Sequence, residues 1–206
     1  EVNAIFNADS ELILVQDGYS THISAQDIAC LEKALPHFKH IYYPENKGKG
    51  YAIRQGVKDA GGELIIYTDI DFPYTTDSIR KIYDTLNAGN CDLAVGVKDE
   101  VYYKHTNAAR KFISKTLRSM IRTFFSIPVD DTQCGLKGFK HELKPVFAHT
   151  TINRYLFDLE FIRNAHKQGY SIQAVPIKLN EGVQFRRINY RILIPEFINL
   201  IKLTLK

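Results

Sequence analysis

Two aspartates, Asp69 and Asp71, follow directly on the apolar run Glu63-Leu-Ile-Ile-Tyr67. A strand projects successive side chains to opposite faces, so carboxylates two apart at its end can serve one polar site. Hard divalent cations such as Mg²⁺ take one or two carboxylates and fill their shell with water and substrate phosphates. A diphosphate ligand is the chemistry this pair suits; the same tripeptide can also cap a turn. Asp17-Gly18 ends an earlier apolar run, where a carboxylate can meet the edge of a base or simply make an Asp-Gly turn. Asn46-Lys47-Gly48-Lys49-Gly50 precedes a helix start. Its glycines permit close backbone approach, and its lysines, Lys49 included, can meet anions beside the helix N-terminus. The spacing is not that of a Walker loop.

These residues need elements to hold them. Apolar runs at Glu11–Val15, Phe38–Tyr43, Leu64–Tyr67 and Leu93–Val97 alternate with helical patterns at Ser24–Leu35, Gly50–Ala60 and Asp77–Leu86. Ser24 and Asp27 have the spacing of a capping box, and Pro36 stops that helix. Buried strands separated by helices of about ten residues predict an α/β fold with a mostly parallel sheet flanked by helices. Ligands of such sheets sit beyond the carboxyl ends of the strands, where Asp17, Asn46, Asp69 and Asp71 all fall. Further on, Thr106–Phe125 reads as an amphipathic helix with a basic face, Gly135–Phe139 as a short extended segment, Leu156–Lys167 as a helix and Ser171–Leu179 as a strand. The amphipathic segment 189–206, with Ile192–Leu205 at its centre, can lie on a membrane surface or dock against the sheet.

The 206 residues, 45% apolar and 24% charged, suit one globular domain over 1–206. A net charge of +4 is too small to imply nucleic-acid binding unless it is concentrated. It is concentrated: 98–122 holds seven Lys/Arg against two Asp/Glu, and 186–206 five against one, which suits lipid phosphate or an anionic membrane surface. Cys30, Cys91 and Cys134 read as buried structural thiols of a reducing, cytoplasmic compartment. His37 and His40 read as structural.

Taken in order, ELILVQDG, NKGKGYAIRQGV, GELIIYTDIDFPY, DTQCGLKGF and RYLFDLEF resemble the family 2 glycosyltransferases of the A-type fold, most of all the polyprenyl-phosphate (dolichyl-phosphate) mannosyl- and glucosyltransferases. The resemblance implies a nucleoside-diphosphate sugar donor, Mg²⁺ or Mn²⁺, inversion at the anomeric carbon and a polyprenyl phosphate acceptor at the cytoplasmic membrane face. It implies that Asp17 contacts the base, Asp69 the ribose or metal, and Asp71 the metal on the diphosphate. Gln133, in Asp131–Lys137, would face the sugar. Asp158 matches an acidic position beneath the acceptor and would be the general base if the acceptor were a saccharide hydroxyl. A phosphate acceptor is already ionised, with a second pKa of about 6, and needs cations instead; Lys98 matches the family's place for a basic residue, and Arg110 with Ser114 its Arg-x-x-x-Ser pair. Arg186 and Arg187 fall where the family closes basic residues over the diphosphate. Two alternatives stand beside this: a same-fold transferase acting on a saccharide hydroxyl in cell-surface polysaccharide synthesis, and a non-catalytic nucleotide-sugar-binding module. The chain departs from the family twice. It begins after the expected first strand with its Pro-x-[Tyr/Phe]-Asn motif, and it has Phe72-Pro73 where a polar residue often follows the aspartates.

Overall fold

The computed structural model describes residues 10–98, 108–129, 131–180, 183 and 190–204, without the side chains of 108–113 and 190–193. In chain order the elements are β1 (Leu12–Asp17), α1 (Ala25–Ala34), β2 (Phe38–Tyr43), α2 (Lys49–Asp59), β3 (Leu64–Tyr67), α3 (Thr76–Asn87), β4 (Leu93–Lys98), α4 (Ala108–Phe125), β5 (Lys137–Lys140), α5 (Lys144–Ala148), α6 (Phe157–Lys167), β6 (Ile172–Ile177) and α7 (Tyr190–Thr204). Local chemistry sets the boundaries. The Ser24 hydroxyl accepts from the Asp27 N–H while Asp27 accepts from the Ser24 N–H, closing the capping box of α1. Helix α4 ends where Ser126 takes a left-handed φ of 47°.

β1 and β2 pair in parallel, and a four-stranded sheet runs β3-β5-β4-β6. β4 and β6 are parallel, but β5 lies antiparallel between β3 and β4. The expected extended segment is thus a central antiparallel strand. Its sequence, Lys-Gly-Phe-Lys, holds too short an apolar run to announce a buried strand. Gly138 is required there: a Cβ would stand 2.7 Å from Ile82 and 2.8 Å from Leu86 of α3.

The sheet divides the core by side-chain alternation. Ile65, Tyr67, Leu93, Val95 and Phe139 pack on one face with Phe147, Phe157 and Phe161. Leu64, Ile66, Ala94 and Leu136 pack on the other with Ile79, Ile82 and Leu86 of α3. On the first face the Phe147 and Phe161 rings lie 4.6 Å apart and those of Phe139 and Phe161 5.1 Å; such pairs contribute about 0.5–1.5 kcal/mol each beyond area burial. β1, apolar in sequence, is only half-buried along its length. Cys91 and Cys134 are buried free thiols, whereas Cys30, expected to be buried, is exposed on α1.

One carboxylate ties three strand ends. Asp92 pairs with Lys140 at 2.9 Å and accepts from the Ser171 N–H and hydroxyl at 3.0 and 2.7 Å. Burial raises its pKa, but the Lys140 ammonium and Ser171 outweigh that and bring it to about 2. Its folded value lies below its unfolded one, so its contribution is complete above about pH 4 and is lost as pH falls towards 2. Asp92→Asn is expected to cost about 1–2 kcal/mol at pH 7. In urea unfolding the gap from wild type should close near pH 2; a gap independent of pH would contradict the assignment.

Candidate active site

The carboxyl ends of β1 and β3 meet at the Asn46–Gly50 loop. Both Asp17 oxygens accept backbone N–H groups, from Lys47 at 2.7 Å and Gly48 at 2.8 Å, and the Asn46 amide donates to the Asp17 carbonyl at 3.0 Å. Asp17 therefore organises this loop. Gly18, with φ 90°, lets the loop close, since a Cβ there would stand 2.9 Å from the Asn46 nitrogen. Lys49, the first residue of α2, places its ammonium 2.6 Å from Asp69 Oδ1. Burial works against that ammonium, but the Asp69 and Asp158 carboxylates outweigh it and hold its pKa above the ordinary value. Asp71 is exposed. Phe72, next in the chain, takes a φ of 40°, a region costly for a bulky residue. The Asn180 amide holds this turn, donating to the Phe72 and Tyr74 carbonyls at 2.9 and 3.2 Å.

The segment 131–137 passes against the other side of Asp69. Gly135 donates its N–H to the Tyr74 hydroxyl at 2.7 Å, and a Cβ at 135 would lie far inside contact distance of Asp69 Oδ2. Asp69 is thus held between Lys49 and the Gly135 backbone. Gly135→Ala is expected to displace the carboxylate and lower turnover by about 100-fold, since a misplacement of about 1 Å near a reacting centre has that scale. Turnover within a few-fold of wild type in a folded variant would refute this.

Below Asp69 lies a group that the sequence reading assigned otherwise. Lys137, fully buried in β5, places its ammonium 2.9 Å from Asp158 Oδ1 and donates to the Cys134 carbonyl. The Tyr67 hydroxyl donates to the same Asp158 oxygen at 2.5 Å. Asp158 is 3% exposed. A general base must reach the proton it removes; in this structure Asp158 is engaged by the Lys137 ammonium and the Tyr67 hydroxyl inside the core. Glu160, two residues on and on the opposite side of α6, accepts the Thr151 and Ile152 N–H groups at 2.8 Å each. Arg54 of α2 donates to the Ile152 carbonyl at 2.9 Å, so the 151–153 loop is fixed beside Gly48 and Gly50. Tyr67 and Tyr74 were not singled out in the sequence, and Gly135 and Lys137 were noted only as part of the segment Asp131–Lys137. For Gly135 and Lys137 the signal was the motif Asp-Thr-Gln-Cys-Gly-Leu-Lys itself.

Lys98, at the end of β4, lines a cavity of about 360 Å³ with Arg118, Arg122, Asp131 and apolar residues including Val97 and Val129. Its backbone N–H donates to Asp131 at 3.2 Å. Arg118 and Arg122 follow Ser114 at i+4 steps on α4 and so share its face. The structure thus joins Lys98 to the basic face of α4. The Gln133 side chain is half-buried and donates to the Thr132 hydroxyl at 3.3 Å. The Arg110 side chain, Arg186, Arg187, Tyr102, Tyr103 and His105 lie outside the described residues.

Among the described residues no cluster of three or more His, Cys, Asp or Glu could hold a metal. That excludes a closed structural site among them and leaves two carboxylates, the donor set a hard cation uses when substrate phosphates complete its shell. The buried Thr68 hydroxyl beside Asp69 has no hydrogen-bond partner, a further oxygen at this strand end.

Comparison with known proteins bears on the fold and the family. A dolichyl-phosphate beta-glucosyltransferase of Saccharomyces cerevisiae is 28% identical over 199 residues, covering 83% of this chain and 57% of the yeast protein. The one from Homo sapiens is 26% identical over 181 residues, covering 82% and 55%. The chain spans about half the length of the curated relatives it matches. Glucosyl-3-phosphoglycerate synthase from Mycobacterium tuberculosis, in complex with Mn²⁺, uridine diphosphate and glucosyl-3-phosphoglycerate, superposes with a TM-score of 0.59 at 16% identity, covering 95% of this chain and 67% of that one. A mannosyltransferase from Pyrobaculum calidifontis, in complex with GDP-Man and Mn²⁺, superposes with a TM-score of 0.54 at 19% identity, covering 85% and 48%. The fold is the A-type glycosyltransferase fold. The model of glycosyl transferase family 2 matches residues 2–147. Since that stretch runs through β1, the aspartate pair and the segment bearing Gly135 and Lys137, the chain belongs to glycosyl transferase family 2.

Proposed function

We propose that this chain is the catalytic domain of an inverting glycosyltransferase that moves a sugar from a nucleoside-diphosphate sugar to a polyprenyl phosphate. Asp71 and Asp69 would hold the Mg²⁺ or Mn²⁺, which when bound neutralises charge on the departing diphosphate. The lysines and backbone N–H groups at the start of α2 would face the same diphosphate. Asp17 contributes by shaping that loop; a contact with the base would be additional.

The observation that carries the acceptor class is the pairing of Lys98 with Arg118 and Arg122 in one cavity, while Asp158 is locked to Lys137. A phosphate acceptor brings its own ionised oxygen and needs cations to place it; a hydroxyl acceptor needs a free base. The dolichyl-phosphate relatives support the same acceptor. Helix α7 supports contact with a lipid surface: Leu200 and Leu203 dock into the core, whereas Ile194, Phe197, Ile198 and Ile201 form an exposed stripe. The inner face of α7 docks against the core, and its outer stripe is the one suited to a membrane surface. Among the described residues no helix is long and apolar enough to cross a membrane.

The test is release of nucleoside diphosphate from a panel of nucleoside-diphosphate sugars with Mn²⁺, without acceptor, with a short-chain polyprenyl phosphate, or with a saccharide acceptor. Release that rises with the lipid phosphate is expected. Release that rises only with a saccharide acceptor would replace this reading with the polysaccharide one.

A further inference from the structure

The Lys49–Asp69 pair sits where the divalent cation is proposed to bind, and its geometry bears on the order in which ligands arrive. Asp69 Oδ1 is 2.6 Å from the Lys49 ammonium. Asp69 Oδ2 lies against the Gly135 backbone. The carboxylate thus stands between the Lys49 ammonium and the Gly135 backbone. The backbone of Lys49 is equally fixed. Gly48 and Gly50 pack against the carbonyls of Asn153 and Ile152, where a Cβ on Gly50 would stand 2.6 Å from the Ile152 oxygen. The lysine, on a flexible four-carbon stem, is the partner that can swing away. A divalent cation on Asp69 would stand within a few ångströms of the ammonium, and like charges at that range repel strongly even at a high effective dielectric constant.

We propose that Lys49 is an internal placeholder for the divalent cation: its ammonium holds Asp69 until a diphosphate arrives and takes the ammonium over, so the cation binds with the diphosphate and not ahead of it. This rests on the metal-and-diphosphate reading above. Asp71, exposed and unencumbered by Lys49, gives the cation its first foothold, and Asp69 joins only after the exchange.

The test uses Mn²⁺ alone and Mn²⁺ with inorganic pyrophosphate, which carries no base or sugar, and follows free Mn²⁺ by electron paramagnetic resonance. Wild type should bind Mn²⁺ weakly alone and much more tightly with pyrophosphate. Lys49→Met should bind Mn²⁺ alone at least about tenfold more tightly than wild type. Its enhancement by pyrophosphate should shrink by a similar factor, because the coupling between two ligands is reciprocal. Lys49→Gln should behave as Lys49→Met does, and Lys49→Arg as wild type, with thermal melts showing that each is folded. The gain must vanish in the Lys49→Met, Asp71→Asn double variant; if it persists, the ion sits elsewhere and the proposal falls. Unchanged or weaker Mn²⁺ binding in both uncharged variants, with pyrophosphate-dependent binding intact, would overturn the placeholder role alone. Absence of Mn²⁺ binding in wild type even with pyrophosphate would overturn the underlying reading as well.

Discussion

Asp71→Ala should reduce donor turnover by about a thousandfold or more while leaving thermal unfolding unchanged. Asp71 is exposed, and surface substitutions away from packed or paired groups usually stay within about 0.5 kcal/mol. The catalytic loss has a different scale. A bound cation offsets charge on the departing diphosphate by several kcal/mol, and each 1.4 kcal/mol of barrier is about tenfold in rate. Steady-state diphosphate release, read beside a melting curve, checks both halves. Normal release from the variant would remove Asp71 from the metal site. Asp69→Ala would be a less clean experiment, because it also strips Lys49 of its partner.

The second large effect is on stability. Asp158→Asn should cost about 3–5 kcal/mol, the range for removing one partner of a buried ion pair, because the Lys137 ammonium would stay in the core without a counter-charge. The double variant Asp158→Leu with Lys137→Met should recover most of that loss, since an apolar pair of similar volume needs no compensation. If the double variant is also active, Asp158 positions the site and moves no proton. If Asp158→Asn instead melts like wild type and loses activity along with one limb of its pH–rate profile, Asp158 is the base after all.

Much of the fold could be read from local pattern. The strands Phe38–Tyr43 and Leu64–Tyr67 and the capped start of α1 stand where propensity and punctuation place them. The amphipathic period of α4 was equally visible, and so was the position of the aspartate pair at a strand's carboxyl end. What pattern could not supply was the central antiparallel place of β5 and the short helix α5 beyond it. A strand of Lys-Gly-Phe-Lys resembles a solvated turn, because lysine is almost never fully buried and glycine weakens strands. Only pairing with β3 and β4 on both sides makes it a strand, and only that position buries Lys137.

The site divides along the same line. The sequence by itself determined which side chains have metal- and anion-binding chemistry and that they gather at the carboxyl ends of strands, because residue type and a two-residue strand period are local properties. Tertiary structure alone decided how those groups are engaged. Asp17 holds a loop and Asp69 is paired with Lys49, while Asp158 neutralises Lys137. Each of these contacts joins residues at least twenty positions apart, and a carboxylate's role depends on which donor the fold brings within 3 Å of it, something no spacing in the chain encodes.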